Sequence, residues 1–124
     1  MTKLIPFALL TAILAIVQYF MPWWSGFLAS AGFFYLWRAS GITPFVMSFF
    51  AGFLVWILAA GMSDFQNDFA LSGMLASLLG EIPSWIVYLI TAVIGGTTSG
   101  LGGWCGRMAR LAVSGDFTQN APQE

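Results

Sequence analysis

Leu4–Trp37 reads LIPFALLTAILAIVQYFMPWWSGFLASAGFFYLW, 34 residues without a charged side chain. A helix crosses the hydrocarbon of a bilayer with about 20 apolar residues, within a range of roughly 17–25. The stretch is too long for one crossing and just long enough for two short ones. Pro22 sits near its middle, followed by Trp23 and Trp24. Proline lacks the N–H that a continuing helix needs, and it suits the first turn of a new one. Tryptophan favours the headgroup level of a membrane. The spacing therefore predicts a helical hairpin, with one span over about 4–21, a turn at Pro22, and a second span over about 23–38 that lets Arg38 snorkel. A three-span threading, with 25–37 only dipping into the membrane, is the runner-up.

The rest of the chain is cut up in the same way. Residues 39–63 and 82–106 are uncharged runs of 25 residues each. They predict a third span over about 44–61 and a fourth over about 85–105. Of the 124 residues, 59% are apolar before the 14 glycines are added, and only four are basic and five acidic. A soluble domain has about 45–50% apolar residues with glycine included, and it needs far more charge to cover its surface. The expected fold is an all-α integral membrane four-helix bundle, occupying residues 1–114 as a single domain, with a polar C-terminal tail over 115–124.

With four spans, Lys3, Arg38, Arg107 and Arg110 fall on one side, and Asp64, Asp68 and Glu81 on the other. The positive-inside rule makes the basic side, and with it both termini, cytoplasmic. Trp23, Trp24 and Trp85 then map to outer span ends, and Trp37 and Trp104 to inner ones, as an aromatic belt requires. These five tryptophans, with Arg38, Arg107 and Arg110, are the expected interface anchors. Trp56 falls within the third span and is the exception. Lys3 and the apolar run after it resemble the start of a signal peptide. No A-x-A-like site follows directly, and the run is read as an uncleaved span.

Between the third and fourth spans, Leu71, Met74, Leu75, Leu78, Leu79 and Ile82 recur at helical spacing, while Ser72, Gly73, Ser77 and Glu81 avoid that stripe. The pattern predicts an amphipathic interfacial helix over about 69–82, lying on the outer membrane surface or capping the bundle.

The fourth span carries Ile94-Gly95-Gly96-Thr97-Thr98-Ser99-Gly100-Leu101-Gly102-Gly103-Trp104-Cys105-Gly106. Small residues recur four apart in the rows Gly95–Ser99–Gly103, Gly96–Gly100 and Gly102–Gly106. Helices in lipid gain little from the hydrophobic effect against each other, so close backbone approach between small residues is what joins them. Ser48–Gly52 in the third span and Gly26–Ser30 in the second are the expected mates. Packing within one bundle, packing against another copy or subunit, and an unwound ion path lined by Thr97, Thr98 and Ser99 are the three readings.

Several chemistries are excluded or left without support. The chain has no histidine, which removes His-ligated haem, His zinc sites and His general bases. Cys105 is the single cysteine, so no internal disulfide forms. Four dispersed basic residues make no nucleic-acid surface. No charge lies within the expected spans, and Asp64, Asp68 and Glu81 read as a solvated acidic loop. No catalytic, cofactor-binding or metal-binding residue is assigned, and no cofactor is expected.

Pro22-Trp23-Trp24, Ala51-Gly52-Phe53-Leu54-Val55-Trp56 and Ile94-Gly95-Gly96 together resemble small uncharacterised bacterial four-span integral membrane proteins, a resemblance that implies no activity. Four-span fluoride channels fit less well, because Thr97-Thr98-Ser99 lacks the Phe of their motif. Small multidrug exporters fit less well, because the first span has no Glu. The expected function is that of a non-enzymatic multi-pass protein of a bacterial cytoplasmic (inner) membrane. It would be a structural or accessory subunit packing through its small-residue faces. Its expected partners are the lipid bilayer and either further copies of itself or a larger membrane complex. A passive channel or carrier for a small ion or solute along the fourth span is the alternative.

Overall fold

The computed structural model describes residues 2–115. The expected tail over 115–124 lies outside them apart from Gly115. Among the described residues the protein is all-helical, with α1 over Leu4–Phe20, α2 over Ser25–Leu36, α3 over Thr43–Gln66, α4 over Ala70–Leu78 and α5 over Ser84–Ser114. Two of these, α3 and α5, are long and apolar enough to cross a membrane, with mean hydropathies of 2.1 and 1.4 over their best windows. α1 and α2 are shorter apolar helices of 17 and 12 residues.

Each boundary has a local cause. α1 ends just before Met21-Pro22, and the Ser25 N–H donates to the Pro22 carbonyl at 2.9 Å to close the turn. The second helix begins two residues later than the sequence suggests, because Trp23 and Trp24 belong to that turn. Gly41, at φ +59°, precedes α3, and Pro44 occupies its first turn, where the missing N–H costs nothing. Pro83 caps α5 in an extended conformation.

α5 is the central element and packs most extensively against α3 and then α2, while α1 rests on α3 and α2. The glycines set the direction of each pairing. Gly95, Gly96 and Gly100 meet Trp56, Phe49 and Phe45 in turn, so α3 runs antiparallel to α5. Gly102 and Gly106 meet Phe27 and Ala31, so α2 runs parallel to it. The fully buried side chains Leu10, Leu14, Phe34 and Ala51 form a second core where α1 meets α2 and α3.

Besides α2, three helices differ from the expected spans. α3 continues to Gln66 rather than stopping near 61, which puts Asp64 on the helix. α5 continues to Ser114 rather than stopping near 105, which puts Arg107 and Arg110 on it. α4 is shorter than the expected 69–82, since Gly80 and Glu81 take positive φ values of +96° and +59° and end it early.

Candidate functional site

The small-residue rows of α5 meet Ser48 and Gly52 of α3, and on α2 they meet Phe27 and Ala31 rather than the expected Gly26–Ser30 pair, with Gly26 beside Ser99. The Gly95–Ser99–Gly103 and Gly96–Gly100 rows face α3, and the Gly102–Gly106 row faces α2. A Cβ on Gly106 or Gly102 would run into the backbone of Ala31 or Phe27, and one on Gly96 would stand 2.9 Å from the Phe49 carbonyl oxygen. A Cβ on Gly52 would meet the Ser99 side chain, and one on Gly103 would meet the Ser48 hydroxyl and stand 2.6 Å from the Pro44 carbonyl oxygen. Gly95 is covered by the indole of Trp56, which explains a tryptophan away from the span ends. These glycines are thus filled by the chain's own α2 and α3.

α5 is unbroken through this region. Thr97 and Thr98 donate their hydroxyls to the carbonyls of Val93 and Ile94 at 2.7 and 2.8 Å, one turn back on the same helix. The buried hydroxyls of Ser25, Ser30, Ser48 and Ser99 have no hydrogen-bond partner among the described residues. Ser48 and Ser99 sit in the tight contacts, against Gly103 and against Gly52 and Gly26 respectively. Gln18 of α1 lies against Gly26.

The expected anchors fall in different environments. Trp23, Trp24, Trp37 and Trp85 are exposed, and Trp104 is half-buried edge-to-face on Phe45 at 6.5 Å between ring centroids. Arg38 is exposed and Arg110 half-buried. Arg107 is only 8% exposed and donates its Nε–H to the Ala39 carbonyl at 3.3 Å, in the connection between α2 and α3. It therefore ties α5 to that connection rather than reaching outward. Lys3 lines a groove together with Phe7 of α1 and Met47 and Phe50 in the first half of α3. The basic side chains thus gather at one end of the α3–α5 pair.

At the opposite end is a polar corner that the sequence does not announce. Asp64, expected in a solvated loop, is 1% exposed in the last turns of α3. Its backbone carbonyl accepts the N–H groups of Asn67 at 3.0 Å and Phe69 at 2.9 Å. One carboxylate oxygen accepts the Ser72 N–H at 3.0 Å, and the other accepts the Tyr88 hydroxyl of α5. Ser72 is in the first turn of α4, whose leading N–H groups have no partner within the helix. Phe69, at the cap position, is left-handed and caps nothing with its side chain. Asp64 supplies the missing cap from eight residues away and places negative charge at the positive end of α4.

The turn before α4 depends on this carboxylate. Asp68 and Phe69 hold φ values of +52° and +59°, a left-handed pair without glycine. Each such residue costs about 1–2 kcal/mol, so the surroundings must over-determine the turn. α4 then packs by Ser72 and Ala76, which are buried, while Leu71, Met74, Leu75 and Leu78 are exposed. Most of the apolar stripe faces away from the protein, and the face of small residues meets it.

A cavity of about 260 Å³ opens beside the corner, lined by Asp64, Tyr88 and Thr91 together with Leu75, Val87 and Ala60. Among the described residues no three of His, Cys, Asp and Glu come together as a metal site would need. No family profile, curated protein or solved structure matches this chain.

Proposed function

We propose that this chain is a non-enzymatic multi-pass protein of a bacterial inner membrane, acting as a structural or accessory subunit. In this reading α1, α2, α3 and α5 are the four crossings, both termini are cytoplasmic, and α4 lies at the outer interface. The observation that carries the membrane placement is the separation of charge. Arg107 bonds Ala39 just before α3, and Asp64 lies near the end of α3. The 22 residues from Thr43 to Asp64 span about 30 Å of helix, close to the thickness of a hydrocarbon core. Large apolar side chains are exposed between the two ends, among them Ile16, Phe50, Leu58, Ile90 and Leu101.

The glycine faces are used internally, so a partner subunit would meet bulky apolar faces instead. A channel along Gly95–Gly103 has less support, because Trp56, Phe49, Phe45 and Ser48 fill that face. Crosslinking in native membranes tests the subunit reading: a discrete multimer or a reproducible partner is expected, and a strictly monomeric chain overturns it. Reporter fusions after Arg38 and after Gly80 test the threading, with the first expected inside and the second outside.

A further inference from the structure

We propose that the cavity beside Asp64 is a binding site for a primary ammonium group carried on a short apolar body. The carboxylate is buried, yet no basic side chain answers it. Arg107 sits at the far end of α3, about 30 Å away along the helix, with Arg38 beside Ala39 and Arg110 one turn beyond Arg107, and Lys3 shares a groove with Met47 and Phe50, about 20 Å or more from Asp64. The N-terminus of α4 contributes about half an opposing charge, which leaves the site negative.

Hydrogen-bond capacity points the same way. An ionised carboxylate offers about four acceptor positions. The Ser72 N–H and the Tyr88 hydroxyl take two of them, the Ser72 hydroxyl and the Leu71 N–H act as weaker further donors that an incoming ammonium would replace, and Asp64 lines the cavity. An ammonium group brings three N–H donors and one positive charge. The remaining walls suit what such a group would carry: Leu75, Val87 and Ala60 offer apolar surface for a short alkyl segment, and the Tyr88 ring suits a cation at its face. With no group of three acidic, histidine or cysteine ligands there among the described residues, the donor set fits an organic cation better than a divalent metal.

The ammonium could be the headgroup of an aminophospholipid or a free small amine. The site is independent of the subunit reading, because a monomer would bind equally well. The full-length protein in phosphatidylcholine nanodiscs is titrated calorimetrically with n-propylammonium chloride. In parallel, its thermal midpoint is compared in nanodiscs with and without phosphatidylethanolamine. Saturable propylammonium binding points to a soluble amine, and stabilisation by phosphatidylethanolamine alone points to the lipid; either supports the site. Asp64→Asn is expected to weaken the effect by about tenfold or more, as for loss of a charge-assisted hydrogen bond. Ala60→Leu fills the cavity, leaves the Asp64 hydrogen bonds in place, and is expected to weaken binding as much without loss of fold. The proposal is overturned if neither probe acts on the wild type, or if Ala60→Leu binds as the wild type does.

Discussion

The glycine seam of α5 and the polar corner at its start are two different ways of holding helices together. Along the seam, Gly102 and Gly106 bring the backbone of α2 so close that a single added carbon finds no room. Nothing there is directional, and the contact is dispersion between backbones. At the corner, one buried carboxylate joins α3, α4 and α5 through hydrogen bonds of defined geometry. The seam therefore answers to volume and the corner to charge and hydrogen-bond pairing.

The seam should give the largest effects. Gly106→Leu or Gly102→Leu is expected to destabilise the fold by about 3 kcal/mol or more, since the obstacle is backbone and cannot rotate away. Reversible unfolding in mixed micelles would measure it, and a wild-type midpoint for either variant would remove the seam from the account. At the corner, Asp64→Ala leaves the Ser72 N–H and the Tyr88 hydroxyl unpaired. Hydrogen exchange at the Ser72 amide is expected to accelerate by about tenfold or more, while the amides of Gly102 and Gly106 keep their protection. Equal acceleration at both sites would show that the two regions are not separate.

Arg107→Ala should cost about 1 kcal/mol by removing the hydrogen bond to Ala39, detected in the same unfolding assay. The smallest effect is a gain. Gly61 lies inside α3 with nothing near its missing Cβ, so Gly61→Ala is expected to stabilise by about 0.5–1 kcal/mol. A loss at Gly61 comparable to that at Gly106 would mean that replacing a helical glycine is costly whatever surrounds it, so that crowding does not set the seam apart.

These regions also differ in how far the sequence announces them. Small residues four apart on an apolar helix leave few arrangements, and Gly95 to Gly106 pack much as that spacing implies. The break at Pro22 is legible for the same reason: a proline cannot continue the helix. Asp64 is not legible. Beside Phe65, Gln66 and Asn67 it reads as the start of a wet loop. Its burial depends on a hydroxyl 24 residues away in α5 and on the first turn of a helix not yet formed. Periodicity located α4 but left its facing open. The stripe of Leu71, Met74 and Leu75 marks an amphipathic helix, yet its small face, Ser72 and Ala76, turned toward the protein. In water the greasy side is drawn inward, whereas lipid exerts no such pull.

The brevity of α2 has a consequence for the membrane itself. Its 12 residues measure about 18 Å along the axis, against a hydrocarbon thickness of about 30 Å. If α2 crosses, the leaflets beside the α1–α2 hairpin must pinch toward each other, at a fraction of a kcal/mol for each Å of shortfall. The protein would then carry a dimple in the lipid around it. Two such dimples cost less merged than apart, an elastic attraction between copies that needs no matching surface.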